Sequence, residues 1–142
     1  MYALRVKRVY DAVEPNDGLR ILVDRIWPRG LSKHQAAVDL WMKDIAPSHA
    51  LRKWFGHRPE RWHEFRQRYH RELDSKPEQV RELIRYVTER PVTLLYSSKA
   101  TEANQALALL EYLMRQEPGR PGNSELSGSQ LESQNSQRGG GS

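Results

Sequence analysis

Ile21-Leu22-Val23-Asp24-Arg25-Ile26-Trp27-Pro28-Arg29-Gly30 reads as a strand that runs into an irregular loop. Ile21, Leu22 and Val23, flanked by Leu19 and Ile26, form a short apolar run, the pattern of a strand buried on both faces. Pro28 and Gly30 exclude regular structure in the polar stretch that follows, so the chain leaves the carboxyl end of this strand as a loop. Val92-Thr93-Leu94-Leu95-Tyr96 repeats the arrangement, with Ser97-Ser98-Lys99 as its polar exit. Strands buried on both faces belong to a parallel sheet covered by helices.

Working outward, residues 3–9 set Leu4 and Val6 against Arg5 and Lys7, the alternation of a half-exposed strand. Residues 14–18, Glu-Pro-Asn-Asp-Gly, form a turn, and residues 37–45 read as a third extended segment. Ser48 caps a short helix carrying Leu51, Trp54 and Phe55, which Gly56 ends. Across residues 59–73, Trp62, Phe65, Tyr69 and Leu73 share one face of a longer helix. Ser75-Lys76-Pro77-Glu78 has capping-box spacing and opens a third helix with Val80, Leu83, Ile84 and Val87 inward. A last helix is expected to be capped by Thr101, with Glu102 in its first turn and Ala103, Ala106, Leu107, Leu110 and Leu113 on its apolar face. The fold class is therefore α/β: a small single domain over residues 1–117, with a short, mostly parallel sheet flanked by helices. From Pro118 onward only Leu126 and Leu131 interrupt a Gly, Ser, Gln, Asn and Pro composition, which predicts a disordered C-terminal tail over residues 118–142.

With 142 residues the chain holds one core and one site. It has no cysteine, which removes disulfides, thiolate nucleophiles and Cys-ligated metals together and fits a cytoplasmic setting. Its N-terminus carries Arg5, Lys7 and Arg8 with no apolar run after them, and no stretch approaches the roughly 20 apolar residues of a membrane span. Neither a secretion signal nor membrane association is expected. The net charge is +5. Arg120 and Arg138 balance Glu125 and Glu132 in the tail, so the basic excess belongs to the folded part and favours anionic partners.

The histidines do not make a metal site. His63 and His70 are about 10 Å apart along a helix at about 1.5 Å per residue, and His57 lies outside it. Ser97 and Ser98 lack the glycines of a nucleophile elbow, so no Ser-His-Asp triad is read, and no cofactor motif is present. The constellation that stands out joins the two strand exits. If the strands are parallel neighbours, Asp24, Arg25, Trp27 and Arg29 meet Ser97, Ser98 and Lys99 at the carboxyl end of the sheet, beside a helix N-terminus. Arginine forks, hydroxyls and a flat indole suit a small anionic ligand, phosphate- or nucleotide-like. A structural reading of the same residues pairs Asp24 with Arg25 or Arg29, buries Trp27 in the core and makes Ser97-Ser98 a turn. A different class of function, nucleic-acid binding or regulation, would use Arg61, Arg66, Arg68 and Arg71 of the helix after Pro59, where Glu60, Glu64, Glu72 and Asp74 dilute the basic face. The residues assign neither a reaction nor an oligomeric state.

Four strings, Val6-Lys7-Arg8-Val9-Tyr10-Asp11, Ile21 to Gly30, Ala46-Pro47-Ser48 with Leu51-Arg52, and Leu94-Leu95-Tyr96-Ser97 with Asn104, resemble the YeaO-like branch of domain-of-unknown-function family 488. The resemblance covers nearly everything from Arg5 to Leu113 and implies a compact α/β domain, with Asn104 added to the candidate ligand residues. It implies no established activity. Longer relatives often carry cysteine at the position of Tyr96 and Cys-His-Arg in place of Asn104-Gln105-Ala106, and YeaO-like members usually carry Asn-His-Ala there. Gln105 departs from that pattern and cannot act as a general base.

Overall fold

Val92 to Tyr96, every residue of which is buried, forms one of the two inner strands of a four-stranded parallel sheet in the computed structural model, which describes residues 2–116. The strands are β1 (Leu4–Arg8), β2 (Leu19–Leu22), β3 (Leu40–Trp41) and β4 (Val92–Tyr96), in the order β1-β4-β2-β3. The last strand in sequence thus inserts between the first two. Arg20 pairs with Thr93 and Leu22 with Leu95, while Arg5 and Lys7 of β1 register on the same two β4 residues. Alternation then assigns Arg20, Leu22, Thr93 and Leu95 to one face and Ile21, Val23, Val92 and Leu94 to the other. On the first face Leu22 and Leu95 join Val9 and Ala36 in a core cluster, against which Trp27, Leu31 and Val38 pack.

Five helices accompany the sheet among the described residues: α1 (Lys33–Ala36), α2 (His49–Phe55), α3 (Trp62–Asp74), α4 (Pro77–Glu89) and α5 (Gln105–Gln116). Residues up to Leu110 form one compact unit that contains the sheet, and those from Glu111 belong to a second, of which the structure describes the last turns of α5. Ser48 accepts the Leu51 N–H and Gly56 ends α2 in the left-handed region, as its sequence predicts. Phe65, Tyr69 and Leu73 of α3 and Val80, Leu83 and Val87 of α4 are buried at helical spacing, with Trp62 and Ile84 half-buried at the margins. The tail expected from Pro118 lies outside the described residues.

Four local expectations are corrected. Residues 37–45 are not one extended segment: Ala37 is the left-handed cap of α1, only Leu40 and Trp41 pair with β2, and Lys43–Ile45 is a 3₁₀ turn. Ser75 does not cap α4. Its hydroxyl donates to Glu72 O at the end of α3, and Lys76 occupies the cap position before Pro77. α5 starts at Gln105 and is capped by Asn104, not Thr101: Asn104 Oδ1 accepts the Leu107 N–H (3.0 Å) and its Nδ2 donates to Ala100 O (2.9 Å). The buried face of α5 up to Leu110 consequently runs through Ala106, Ala108 and Leu109, while Ala103, Leu107 and Leu110 are half-buried. Ile26 does not continue the buried run; the chain has left the sheet there and the side chain is 62% exposed.

The link from β1 to β2 is held by a buried ionic group. Asp17, 2% exposed, takes Arg20 Nη1 at 2.6 Å, Lys7 Nζ at 3.1 Å and the Glu14 N–H at 3.1 Å. Arg20 is itself 3% exposed and donates to Ala36 O and Ala37 O, closing α1 onto the sheet. Next to it Gly18 has φ 67°, and a Cβ there would meet Pro91 O at 2.3 Å. Burial alone raises the Asp17 pKa, but the Glu14 N–H, Lys7 and Arg20 outweigh it and hold the carboxyl below its ordinary value. Arg20→Ala should lower the unfolding free energy in urea by about 3–5 kcal/mol, against about 0.5 or less for Arg81→Ala on the exposed face of α4. Because the folded pKa is depressed, the Asp17 contribution is present above the ordinary carboxylate pKa and is lost as pH falls through the folded value. Urea titrations repeated down the acid range should show that loss in the wild type and not in Asp17→Asn.

Candidate functional site

β2 and β4 are parallel neighbours, and the Val23 N–H donates to Leu95 O at 3.0 Å, so both strands release their chains at the same end of the sheet. Asp24 joins the two exits. Its Oδ2 accepts the Ser97 N–H at 3.0 Å and the Ser97 hydroxyl, and its Oδ1 accepts Gln105 Nε2 from the first turn of α5. Trp41 Nε1 donates to the Asp24 carbonyl at 2.7 Å, which ties in the end of β3. Asp24 is only 6% exposed. Burial pushes its pKa up, and although Ser97, the charge of Arg52 and Gln105 pull the other way, the net shift is upward.

Arg25 does not pair with Asp24. Its Nε and Nη2 reach across to Pro47 O and Ala46 O, each at 3.2 Å. Lys76 Nζ shares Ala46 O and takes Asp44 O, and the buried Tyr69 hydroxyl donates to Ile45 O at 2.7 Å. Four consecutive carbonyls before α2 are thus held by side chains of the loop, α3 and the start of α4, while Glu72 accepts from the Ser48 N–H and hydroxyl. Burial and the adjacent Arg25 charge lower the Lys76 pKa. This clamp sets the position of α2, and with it Arg52 and Phe55, one turn apart.

A cleft of about 370 Å³ opens where these segments meet. Asp24, Arg25, Trp27, Arg29, Ser97, Ser98 and Asn104 line it; Lys99 does not, and is exposed. Trp27 is half-buried, donates Nε1 to Leu31 O at 2.7 Å and meets Trp41 edge-on at 5.4 Å, so it belongs to both core and cleft. Ser98 Oγ accepts the Ala100 N–H, which is the turn role, and Asn104 caps α5 with its Oδ1 and one amide N–H. The sequence reading missed Tyr10, Arg52, Phe55, His57, Phe65 and Gln105, all on the cleft wall. A signal for Arg52 and Phe55 exists in their helical spacing after the Ser48 cap; Tyr10 and His57 carry none that is local. His57 sits at φ 58° just beyond α2, while His63 lies beside Arg66 and His70 Nε2 is 2.8 Å from Ala108 O, so the three histidines go to separate places.

A small parallel α/β sheet with a polar cleft at the carboxyl ends of its inner strands defines the class. The chain belongs to the family described as the inactive DUF488-N3 subclade, whose model matches residues 3–130, and the YeaO-like resemblance holds. It is similar to the uncharacterized protein YeaO of Escherichia coli strain K12, with 44% identity over 110 residues that cover 78% of this chain and 96% of that protein. It is similar also to the uncharacterized proteins Mb3100c of Mycobacterium bovis and Rv3073c of Mycobacterium tuberculosis, each 41% identical over 111 residues covering 78% of this chain and 92% of the relative. No solved structure matches. No helix among the described residues is long and apolar enough to cross a membrane.

The Asp24 carboxyl gives a pH signature. With its folded pKa raised, the native state binds a proton more readily than the unfolded chain, so stability is greatest below the ordinary carboxylate pKa and falls as pH rises through the folded value. Urea denaturation of the wild type, repeated from below the ordinary carboxylate pKa upward, should show this fall superimposed on the opposite acid-side trend from Asp17. Asp24→Asn should remove it.

Proposed function

We propose that the cleft binds a small anionic ligand with a phosphate-like group. The observation that carries the reading is the convergence of Arg29 from the β2 exit with Arg52 from α2 on one cavity, beside Arg25, whose Nε and Nη2 are held by Pro47 O and Ala46 O; the single lining carboxylate, Asp24, already accepts three hydrogen bonds. Arginine forks match phosphate oxygens, and the α5 N-terminus adds dipole in the same direction. Ser98, with its oxygen accepting from Ala100, keeps its own O–H to donate. Binding without turnover is the form of the proposal that agrees with the description of the subclade as inactive. A nucleic-acid partner read by α3 has less support: Arg68 pairs with Glu64, and the Arg61 and Arg68 guanidinium groups lie 5.0 and 4.4 Å from the Trp54 ring.

Thermal-shift measurements with inorganic phosphate, ribose 5-phosphate and AMP test the proposal. At a hundredfold excess over Kd the native state gains about 2.7 kcal/mol, a readable rise in Tm. Arg29→Ala and Arg52→Ala should keep the melting temperature of the unliganded protein within a few degrees and weaken binding about tenfold or more, since a charged hydrogen bond contributes about 1.5–3 kcal/mol. Equal shifts in wild type and both variants would sink the reading.

A further inference from the structure

The cleft is larger and more varied than a bare anion requires. Its volume of about 370 Å³ lies near the low end of small-ligand sites, which span roughly 300–1,000 Å³. Inorganic phosphate would fill a fraction of it, and a dinucleotide, with two bases and two sugars, would overflow it. The walls carry two chemistries. The arginines make one, and aromatic rings make the other: Tyr10, Trp27 and Phe55, the last backed by Phe65 stacked on it at 4.5 Å. Aromatic faces of this kind hold a planar base by stacking, as they do in single-stranded nucleic-acid sites.

Gln105 adds a directional group. The ionised Asp24 carboxylate only accepts, so in that state the Gln105 amide turns its NH₂ toward Oδ1, and this sets which way the side chain points. The second N–H and the Oε1 of that amide remain, a donor and an acceptor on one side chain of the cleft wall. An amide with both capacities suits the edge of a nucleobase, which also offers donors and acceptors.

Building on the anion reading, we infer that the occupant is a nucleoside monophosphate, its phosphate on the arginines and its base against the aromatic wall with an edge on Gln105. The cavity size favours it over phosphate alone and over a dinucleotide, and the aromatic lining and the amide favour it over a phosphosugar.

Isothermal titration of the full chain with AMP, GMP, CMP and UMP, beside ribose 5-phosphate, inorganic phosphate, adenosine and guanosine, distinguishes the cases. At least one monophosphate should bind tenfold or more tighter than ribose 5-phosphate and tighter than either nucleoside, and should change the tryptophan emission as Trp27 is covered. Gln105→Ala should narrow the spread of affinities among the four bases, whereas Arg29→Ala should weaken nucleotides and ribose 5-phosphate alike. If ribose 5-phosphate or phosphate binds as tightly as every nucleotide, the nucleotide inference fails and the anion reading stands. If nothing binds, both fail. The wild-type ligand series decides the matter even where a variant does not fold.

Discussion

The hydrogen-bond ladder of β4 to both β1 and β2 is the constraint on which the rest of the structure depends. A strand buried along its whole length must satisfy every backbone N–H and C=O within the protein, and β4 does so only by inserting between two strands separated from it by some seventy residues or more of chain. Its arrival brings Tyr96 beside Arg8 and Leu95 beside Leu22, and the two exits that follow become neighbours for that reason alone. Side chains then consolidate the arrangement. Arg8 donates to Ser97 O and Ser98 O, Thr93 donates to Asp17 O, and the Leu19 N–H donates to Pro91 O.

Buried charge sits at both ends of this sheet and does different things. At the amino end, Asp17 with Lys7 and Arg20 is a closed group in which opposite charges and backbone acceptors compensate desolvation. At the carboxyl end, Asp24 has neutral donors as its direct partners, Ser97 and Gln105, and its charge is the less compensated of the two. The opposite directions of their pKa shifts follow from that difference. One end holds the fold together; the other leaves a carboxyl poised beside three arginines in an open cleft.

The local readings that succeeded rest on chemistry confined to a few residues. Ser48 with Leu51 and Gly56 delimits α2, and the apolar runs mark β2 and β4. Those that failed had two physically adequate answers nearby. Thr101 and Asn104 can each cap a helix, and Asn104 prevails because its amide also satisfies Ala100 O. Ser75 could open α4, but the end of α3 claims its hydroxyl. Residues 37–45 have apolar content enough for a strand, yet β2 offers only two residues of pairing before the chain must turn to meet α2.

By itself the sequence determined the elements that local rules govern: two strands buried on both faces, helices with one apolar face, and loops rich in arginine, serine and aromatic residues at the strand exits. The part of the cleft wall that the two strand exits supply was legible on that basis, because an exit from a buried strand in a parallel sheet lies at a common end. Which groups face the cavity was decided by tertiary structure. Arg25 turned to carbonyls 21 and 22 residues away, Lys99 stayed in solvent, and Arg52, Phe55 and Gln105 came in from elements whose placement depends on the clamp of Lys76, Tyr69 and Glu72 and on the Asp24 bridge. Contacts across such separations depend on how the sheet and helices are placed in three dimensions, and no periodicity in the chain encodes them.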